Sequence, residues 1–224
     1  MSLVFLVATY NESAEIEDLL TSVADYVQDI VVSDDGSTDD TKDKVFAWSK
    51  SNNDRIVDVL YNDHTGLPES IKRIGVEYIR YTMGSDTWVL MLDADERIDE
   101  ATLHKIVGYT ESGDLGTSHV WFTLDEYIDG VGPLRTFLKC RLFRASAAMF
   151  SDSVHEDDDF IGQGANFDWK IIHRKTSSKQ ILRENEYIET YKRLLSEGKV
   201  TQEWIDRCIG FHYFVKEFGL VPHG

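Results

Sequence analysis

Cysteine is scarce in this chain of 224 residues, with only Cys140 and Cys208 present. Their spacing matches no metal motif, and the expectation is reduced thiols in a cytoplasmic protein. No run of eighteen apolar residues occurs, so an integral membrane span is not expected. Positive charge is also short. Lys and Arg number 23 against 40 Asp and Glu, for a net charge of −17. That balance disfavours nucleic acid and anionic lipid as partners and suits a bound divalent cation, although an acidic surface alone names no ligand. The first residues, Met1 to Ala8, lack a basic flank, and their apolar run breaks at Thr9-Tyr10-Asn11-Glu12. They read as a first strand and not as a secretory signal. No internal repeat or low-complexity tract is present.

Apolar residues make up 42% of the chain and aromatics 12%, enough for a large core in one domain, with or without an appendage. Leu3 to Ala8 reads as a central strand. Ile16, Leu19, Leu20, Val23 and Val27 mark one face of a helix from about Ala14 to Tyr26, with Ser13 as its N-cap. Ile30 to Val32 is a short strand, and the helix after it carries Val45, Phe46 and Trp48. Arg55 to Leu60 is a third strand. Pro68 opens a helix on which Leu67, Ile71, Ile74, Tyr78 and Ile79 recur. Trp88 to Leu92 is a fourth strand. This β-α-β-α-β-α-β order predicts a parallel, doubly wound sheet with right-handed crossovers.

Beyond it, Ala101 to Tyr109 reads as a helix. His119 to Tyr127 and Phe137 to Phe143 read as an antiparallel strand pair, and Phe167 to Ile172 as a further strand. Helices are expected over Ser178 to Ser196, stopped at Gly198, and over Thr201 to Lys216. The aromatic last helix is read as docking on the core or as a dimer or acceptor surface.

Four polar stretches carry the candidate chemistry. The apolar run at 88–92 ends in Asp93-Ala94-Asp95, and ligands of open α/β sheets lie at the carboxyl ends of strands. Two hard oxygen ligands at that spacing suit Mg2+ or Mn2+ carrying a diphosphate. The same residues also serve as the acidic approach to a helix capped by Asp99. Asp34 and Asp35, in a loop with Gly36, suit hydrogen bonds to a ribose or base. That loop is equally good turn chemistry, with Asp40 or Thr38 capping the next helix. Glu156 and Asp157, in Ser153 to Asp159, are candidates for a general base with His155 beside them, or form an acidic surface loop. His173 follows a strand end, as a ligand or as a structural histidine. Lys72 and Arg73 either face a diphosphate or are solvated. Lys139, Arg141 and Arg144 either meet phosphates or an acceptor, or protect a solvated edge.

Taken in order, Ala8-Thr9-Tyr10-Asn11-Glu12, Val32-Ser33-Asp34-Asp35-Gly36-Ser37-Thr38-Asp39-Asp40-Thr41 and Leu92-Asp93-Ala94-Asp95-Glu96 resemble the family 2 glycosyltransferases. The resemblance covers residues 3–110. It extends through Val154-His155-Glu156 and Ile172-His173 toward the lipopolysaccharide-core, WaaE-like branch, which also carries a Lys- and Tyr-rich helix after the second His. It implies a GT-A fold: a Rossmann-like, mostly parallel sheet with helices on both faces, an antiparallel pair in the second half and a helical C-terminus. The implied domain covers 1–176, with a nucleotide-binding half at 1–100 and an acceptor half at 101–176. The helices of 177–224 pack on it.

The implied activity is metal-dependent, inverting transfer of a sugar from a nucleotide-sugar donor, UDP-sugars favoured, to an acceptor hydroxyl. Thr9, Tyr10, Glu12, Asp34, Asp35, Arg73 and Asp93 would bind the nucleotide-sugar. Asp93, Asp95 and His173 would hold Mn2+ or Mg2+. Glu156 would be the base, with Asp157 as its understudy. The family's Arg-Asn pair is absent, because Ile74 follows Arg73. A sugar nucleotidyltransferase is the first alternative, although no Gly-rich phosphate loop follows the first strand. A non-catalytic sugar-nucleotide-binding module is the second. The acceptor, whether glycan, glycolipid, protein or modified base, is not named by these residues, and neither is a homodimer.

Overall fold

The computed structural model describes residues 3–113, 116–150, 159–203 and 205. Its first half alternates as expected. The elements are β1 (Leu3–Thr9), α1 (Ile16–Val23), β2 (Asp29–Asp34), α2 (Thr41–Ser51), β3 (Ile56–Tyr61), α3 (Pro68–Thr82) and β4 (Trp88–Met91). Then come β5 (Glu96–Arg97), α4 (Glu100–Glu111), β6 (His119–Ile128), β7 (Val131–Arg144), β8 (Ala148–Met149), β9 (Asp159–Phe160), β10 (Gly164–Lys175) and α5 (Ser177–Ser196). Eight strands form one sheet in the order β3-β2-β1-β4-β7-β6-β10-β5. β3, β2, β1 and β4 are parallel, β7 is antiparallel to both neighbours, and β10 runs parallel to β6. This is the GT-A arrangement anticipated above, with helices on both faces, an antiparallel pair in the second half and a C-terminal helix.

Side chains alternate across a strand, so a central strand buried on both faces must be apolar throughout. On β1, Phe5 and Val7 join the core beneath α1, α2 and α4, whereas Val4 and Leu6 face α3. All four are fully buried. At full burial each contributes roughly 1.5–3 kcal/mol. Asp99 caps α4, its carboxylate accepting from the Thr102 N–H at 3.0 Å and the Thr102 hydroxyl at 2.8 Å. Among the described residues no helix is long and apolar enough to cross a membrane.

Several local expectations are corrected. α1 is shorter than the 14–26 expected, and 24–26 form a 3-10 turn. Ser13 does not cap it; the cap position is Glu15, which makes no side-chain cap bond, and the Ser13 N–H goes to Asp39. Asp40 holds the N-cap position of α2 as one of the two residues expected there, but its side chain makes no cap bond; Asp39 accepts the Thr41 N–H instead. Phe46 is 55% exposed, while Val45 and Trp48 face the core. β7 is no edge, so Arg141 and Arg144 are not a solvated fringe, and Lys139 is half-buried. Arg141 is buried, and Arg144 lies 4.3 Å over the Trp88 ring and is also buried. Of the expected second C-terminal helix, Gln202, Glu203 and Ile205 are described and helical.

Candidate active site

Parallel strands leave their last residues side by side, and here those residues are polar. Thr9 at the end of β1 is in register with Asp34 at the end of β2. The Thr9 hydroxyl lies 3.4 Å from Asp34 Oδ2, and Asp34 also accepts the Ser37 N–H at 2.9 Å and the Ser37 hydroxyl at 2.5 Å. Asp35 accepts the Thr65 N–H at 2.8 Å, the Thr65 hydroxyl at 3.1 Å and the Gly66 N–H at 3.2 Å. Its Oδ2 is 2.9 Å from His64 Nδ1. The Tyr10 ring stacks on His64, centroids 4.1 Å apart and planes at 17°. Gly36 turns the chain at φ +74°, and a Cβ there would stand 2.8 Å from the His64 backbone nitrogen, so the turn requires glycine. The four neighbours Thr9, Tyr10, Asp34 and Asp35 therefore share one wall.

A second polar wall follows β4, the parallel neighbour of β1 on its other side. Leu92 is the last fully apolar residue, and its N–H bonds to Leu6 on β1. Asp93 Oδ2 accepts from Arg141 Nη2 at 2.7 Å, and Arg141 forks onto Glu96 with bonds of 2.8 and 2.5 Å. Glu96 in turn accepts the Asp93 N–H at 3.0 Å. Asp95 is buried, with His173 Nε2 3.1 Å from its Oδ1 and Lys179 Nζ 3.7 Å from its Oδ2. His173 arrives because β10 pairs with the short β5, His173 opposite Glu96.

The charges decide each protonation state. Burial pushes Asp93 up, but Arg141 and Lys72 outweigh it and hold the carboxyl well below its usual range. Burial likewise opposes ionisation of Asp95, and His173 outweighs it. Burial lowers His173, and the Asp95 carboxylate more than reverses that, so the imidazole is raised. Glu12, 3% exposed, meets Lys179 and Arg183 of α5; burial still leaves its carboxyl raised.

Among the described residues no group of three His, Cys, Asp or Glu side chains forms a metal cage. The residue types present still suit a divalent cation: Asp93 and Asp95 offer hard oxygens, and His173, whose Nε2 lies 3.1 Å from Asp95 Oδ1, offers a ring nitrogen. Arg73 is placed elsewhere. It pairs with Glu77 at 3.1 Å and lines a shallow cleft with Arg80, Ala148, Met149 and Phe150. The α3 cation that acts on Asp93 is Lys72, buried against Glu69 at 2.9 Å. Glu156 and Asp157 lie outside the described residues.

Sequence reasoning did not select Glu96, Arg141, Lys179 or Arg183. Arg141 stood in a noted basic alternation, and Lys179 and Arg183 lie, four apart on one helix face, in the Lys- and Tyr-rich helix that the resemblance pointed to without singling out either residue.

The profile of the family described as "Glycosyl transferase family 2" matches residues 4–148. A poly-beta-1,6-N-acetyl-D-glucosamine synthase of Staphylococcus epidermidis is 33% identical over 118 residues, covering 50% of this chain and 26% of that protein. The chain thus spans about a quarter of that relative's length. Among solved structures, S. aureus TarS aligns with a TM-score of 0.45 at 25% identity, covering 59% of this chain and 23% of that one. The mannosyltransferase PcManGT from Pyrobaculum calidifontis, in complex with GDP-Man and Mn2+, aligns with a TM-score of 0.43 at 26% identity, covering 53% and 34%.

Proposed function

Since the chain belongs to glycosyl transferase family 2, we propose that it moves a sugar from a nucleotide-sugar, UDP-sugars favoured, to an acceptor hydroxyl, with inversion and with a divalent metal. The observation that carries this reading is the pair of polar walls that gather at the carboxyl ends of the neighbouring parallel strands β1, β2 and β4. One holds Thr9, Asp34 and Asp35; the other holds Asp93, Asp95 and His173. The first wall suits a nucleoside, the second a diphosphate.

On this reading Asp93, Asp95 and His173 hold Mn2+ or Mg2+, which when bound neutralises charge on the leaving diphosphate. Thr9, Tyr10, Asp34 and Asp35 fix the nucleoside, and Glu12 lines the same pocket. Glu156, or Asp157 in its stead, takes the proton of the acceptor hydroxyl as its oxygen bonds to the anomeric carbon. The bond from that carbon to the diphosphate oxygen breaks, and a free nucleoside diphosphate leaves. Attack opposite the leaving group inverts the centre, so an α-linked donor gives a β-glycoside. The β-linkage in the name of the staphylococcal relative agrees with that outcome. The second His and the helix after it favour the WaaE-like branch. Residues 1–176 are the catalytic domain, with nucleotide and acceptor halves at 1–100 and 101–176, and 177–224 is the helical appendage. The cytoplasm is the compartment its thiol usage suits.

The test is calorimetric titration with UDP, GDP and dTDP, each with and without Mn2+, followed by product analysis with the matching sugar donors. Metal-dependent binding of one nucleotide and its release as free diphosphate are expected. Release of pyrophosphate from a nucleoside triphosphate and a sugar 1-phosphate, assayed in parallel, would instead make the protein a nucleotidyltransferase. Binding with no acceptor-dependent turnover would make it a binding module.

A further inference from the structure

Four cations stand near the two walls, and their accessibility separates them. Side-chain exposure is 2% for Arg141 and 7% for Lys72, but 29% for both Lys179 and Arg183. Arg141 is shared between Asp93 and Glu96, and Lys72 is held by Glu69. Lys179 and Arg183, by contrast, converge on one carboxylate, Glu12, which is only 2% open. Two accessible cations thus share one buried carboxylate. Lys179 additionally reaches Asp95, whose own cation is His173.

The rest of α5 holds these groups in place. Tyr187, four residues beyond Arg183, continues the same face, and burial pushes its phenol up to about 12, so it is a neutral hydroxyl. Further along, Arg193 donates to the Thr65 carbonyl at 2.8 Å. A Cβ on Gly66 would stand 2.5 Å from the Thr190 hydroxyl, so the helix rests directly on the loop that Asp35 holds. From Lys179 to Arg193 the helix runs about 21 Å at 1.5 Å per residue. It therefore spans from the Asp95 wall to the Asp35 wall.

We propose that α5 is the diphosphate clamp of the donor site, with Lys179 and Arg183 transferring their open donors from Glu12 to the phosphate oxygens of a nucleoside diphosphate. This rests on the nucleotide-sugar reading above. A planar guanidinium and a compact ammonium are the two side chains best matched to phosphate oxygens. In a chain of net charge −17 a polyanion needs such local compensation. Glu12 is then the resting partner of both cations.

The experiment titrates UDP, GDP and dTDP, with the corresponding monophosphates and nucleosides, into wild type, Lys179→Met, Arg183→Met and Arg183→Lys. For the nucleotide that wild type binds, each Met variant is expected to weaken diphosphate binding about 10- to 100-fold, the scale of a lost charged hydrogen bond. Nucleoside binding should change less than about two-fold, with the monophosphate between them, and Arg183→Lys should recover part of the loss. Diphosphate binding within about two-fold of wild type in both Met variants overturns the clamp and leaves the glycosyltransferase reading intact. An equal loss for nucleoside and diphosphate also overturns it, since that is the mark of a merely structural helix. Failure of wild type to bind any of the three diphosphates removes the nucleotide-sugar reading and the clamp together.

Discussion

Asp34 and Asp35 form one side of the cleft and Asp93 and Asp95 the other, yet the two pairs are held by different kinds of partner. The first pair is bonded chiefly by neutral donors: backbone N–H groups of Ser37, Thr65 and Gly66 and the hydroxyls of Thr9, Ser37 and Thr65. The second pair is held by cations, Arg141 on Asp93, and His173 and Lys179 on Asp95. Backbone donors are fixed by the fold, so the first pair shapes loops and presents a rigid surface. Side-chain cations can change partner when a ligand brings its own charge. On the proposed reading, recognition falls to the first wall and charge handling to the second.

The comparison breaks most sharply at Asp95. Asp95→Asn removes the charge and keeps the shape, and it is expected to slow sugar transfer about 10³-fold or more, since Lewis-acid stabilisation is worth several kcal/mol. Glu156→Gln should cost about 10²–10⁴-fold. Nucleoside binding should survive both changes. Turnover near wild type in purified Asp95→Asn would remove the charge-handling role from this wall.

Stability comes next. Arg141→Met leaves Glu96 fully buried without its cation and Asp93 half-buried without the guanidinium it shares, and unfolding by urea should show a loss of about 3–5 kcal/mol. A loss under about 1 kcal/mol would mean that those carboxylates are relieved by water or protonation instead. Asp35→Ala should cost less, about 1–3 kcal/mol, because what it strands are the N–H groups of Thr65 and Gly66. If Asp35→Ala proves the more destabilising of the two, the contrast between the walls fails.

The two walls were also unequally legible in the sequence. Apolar runs ending abruptly in acids mark β1, β2 and β4 together with Thr9, Asp34 and Asp93, because strand and strand-end chemistry are local. The cations were not visible in the same way. Arg141 meets Asp93 only because β7 inserts beside β4, with Leu90 opposite Leu142, and no local pattern states that pairing. β5 is two residues long, too short for any periodicity, yet it brings His173 opposite Glu96. Lys179 and Arg183 reach Glu12 across more than 160 residues.

Asp39 is the smallest effect and tests the loop-shaping role outside the cleft. Its carboxylate accepts the Thr41 N–H at 3.0 Å and the Thr41 hydroxyl at 2.5 Å, and on the other oxygen the Ser13 N–H at 3.1 Å. It thus ties the start of α2 to the turn before α1. Burial pushes this carboxyl up, but the hydrogen bonds from Thr41 and Ser13 outweigh it and hold it below its ordinary value. A group lowered in the folded state contributes fully above its unfolded value of about 3.9, and the contribution fades as pH falls through the folded value. Asp39→Ala should therefore cost about 0.5–2 kcal/mol at neutral pH, as a lost cap does. That gap to wild type should narrow only below about pH 3.9, in urea unfolding followed across pH. A gap that stays constant to the acid limit would mean that Asp39 acts by shape and not by accepting these hydrogen bonds as an anion.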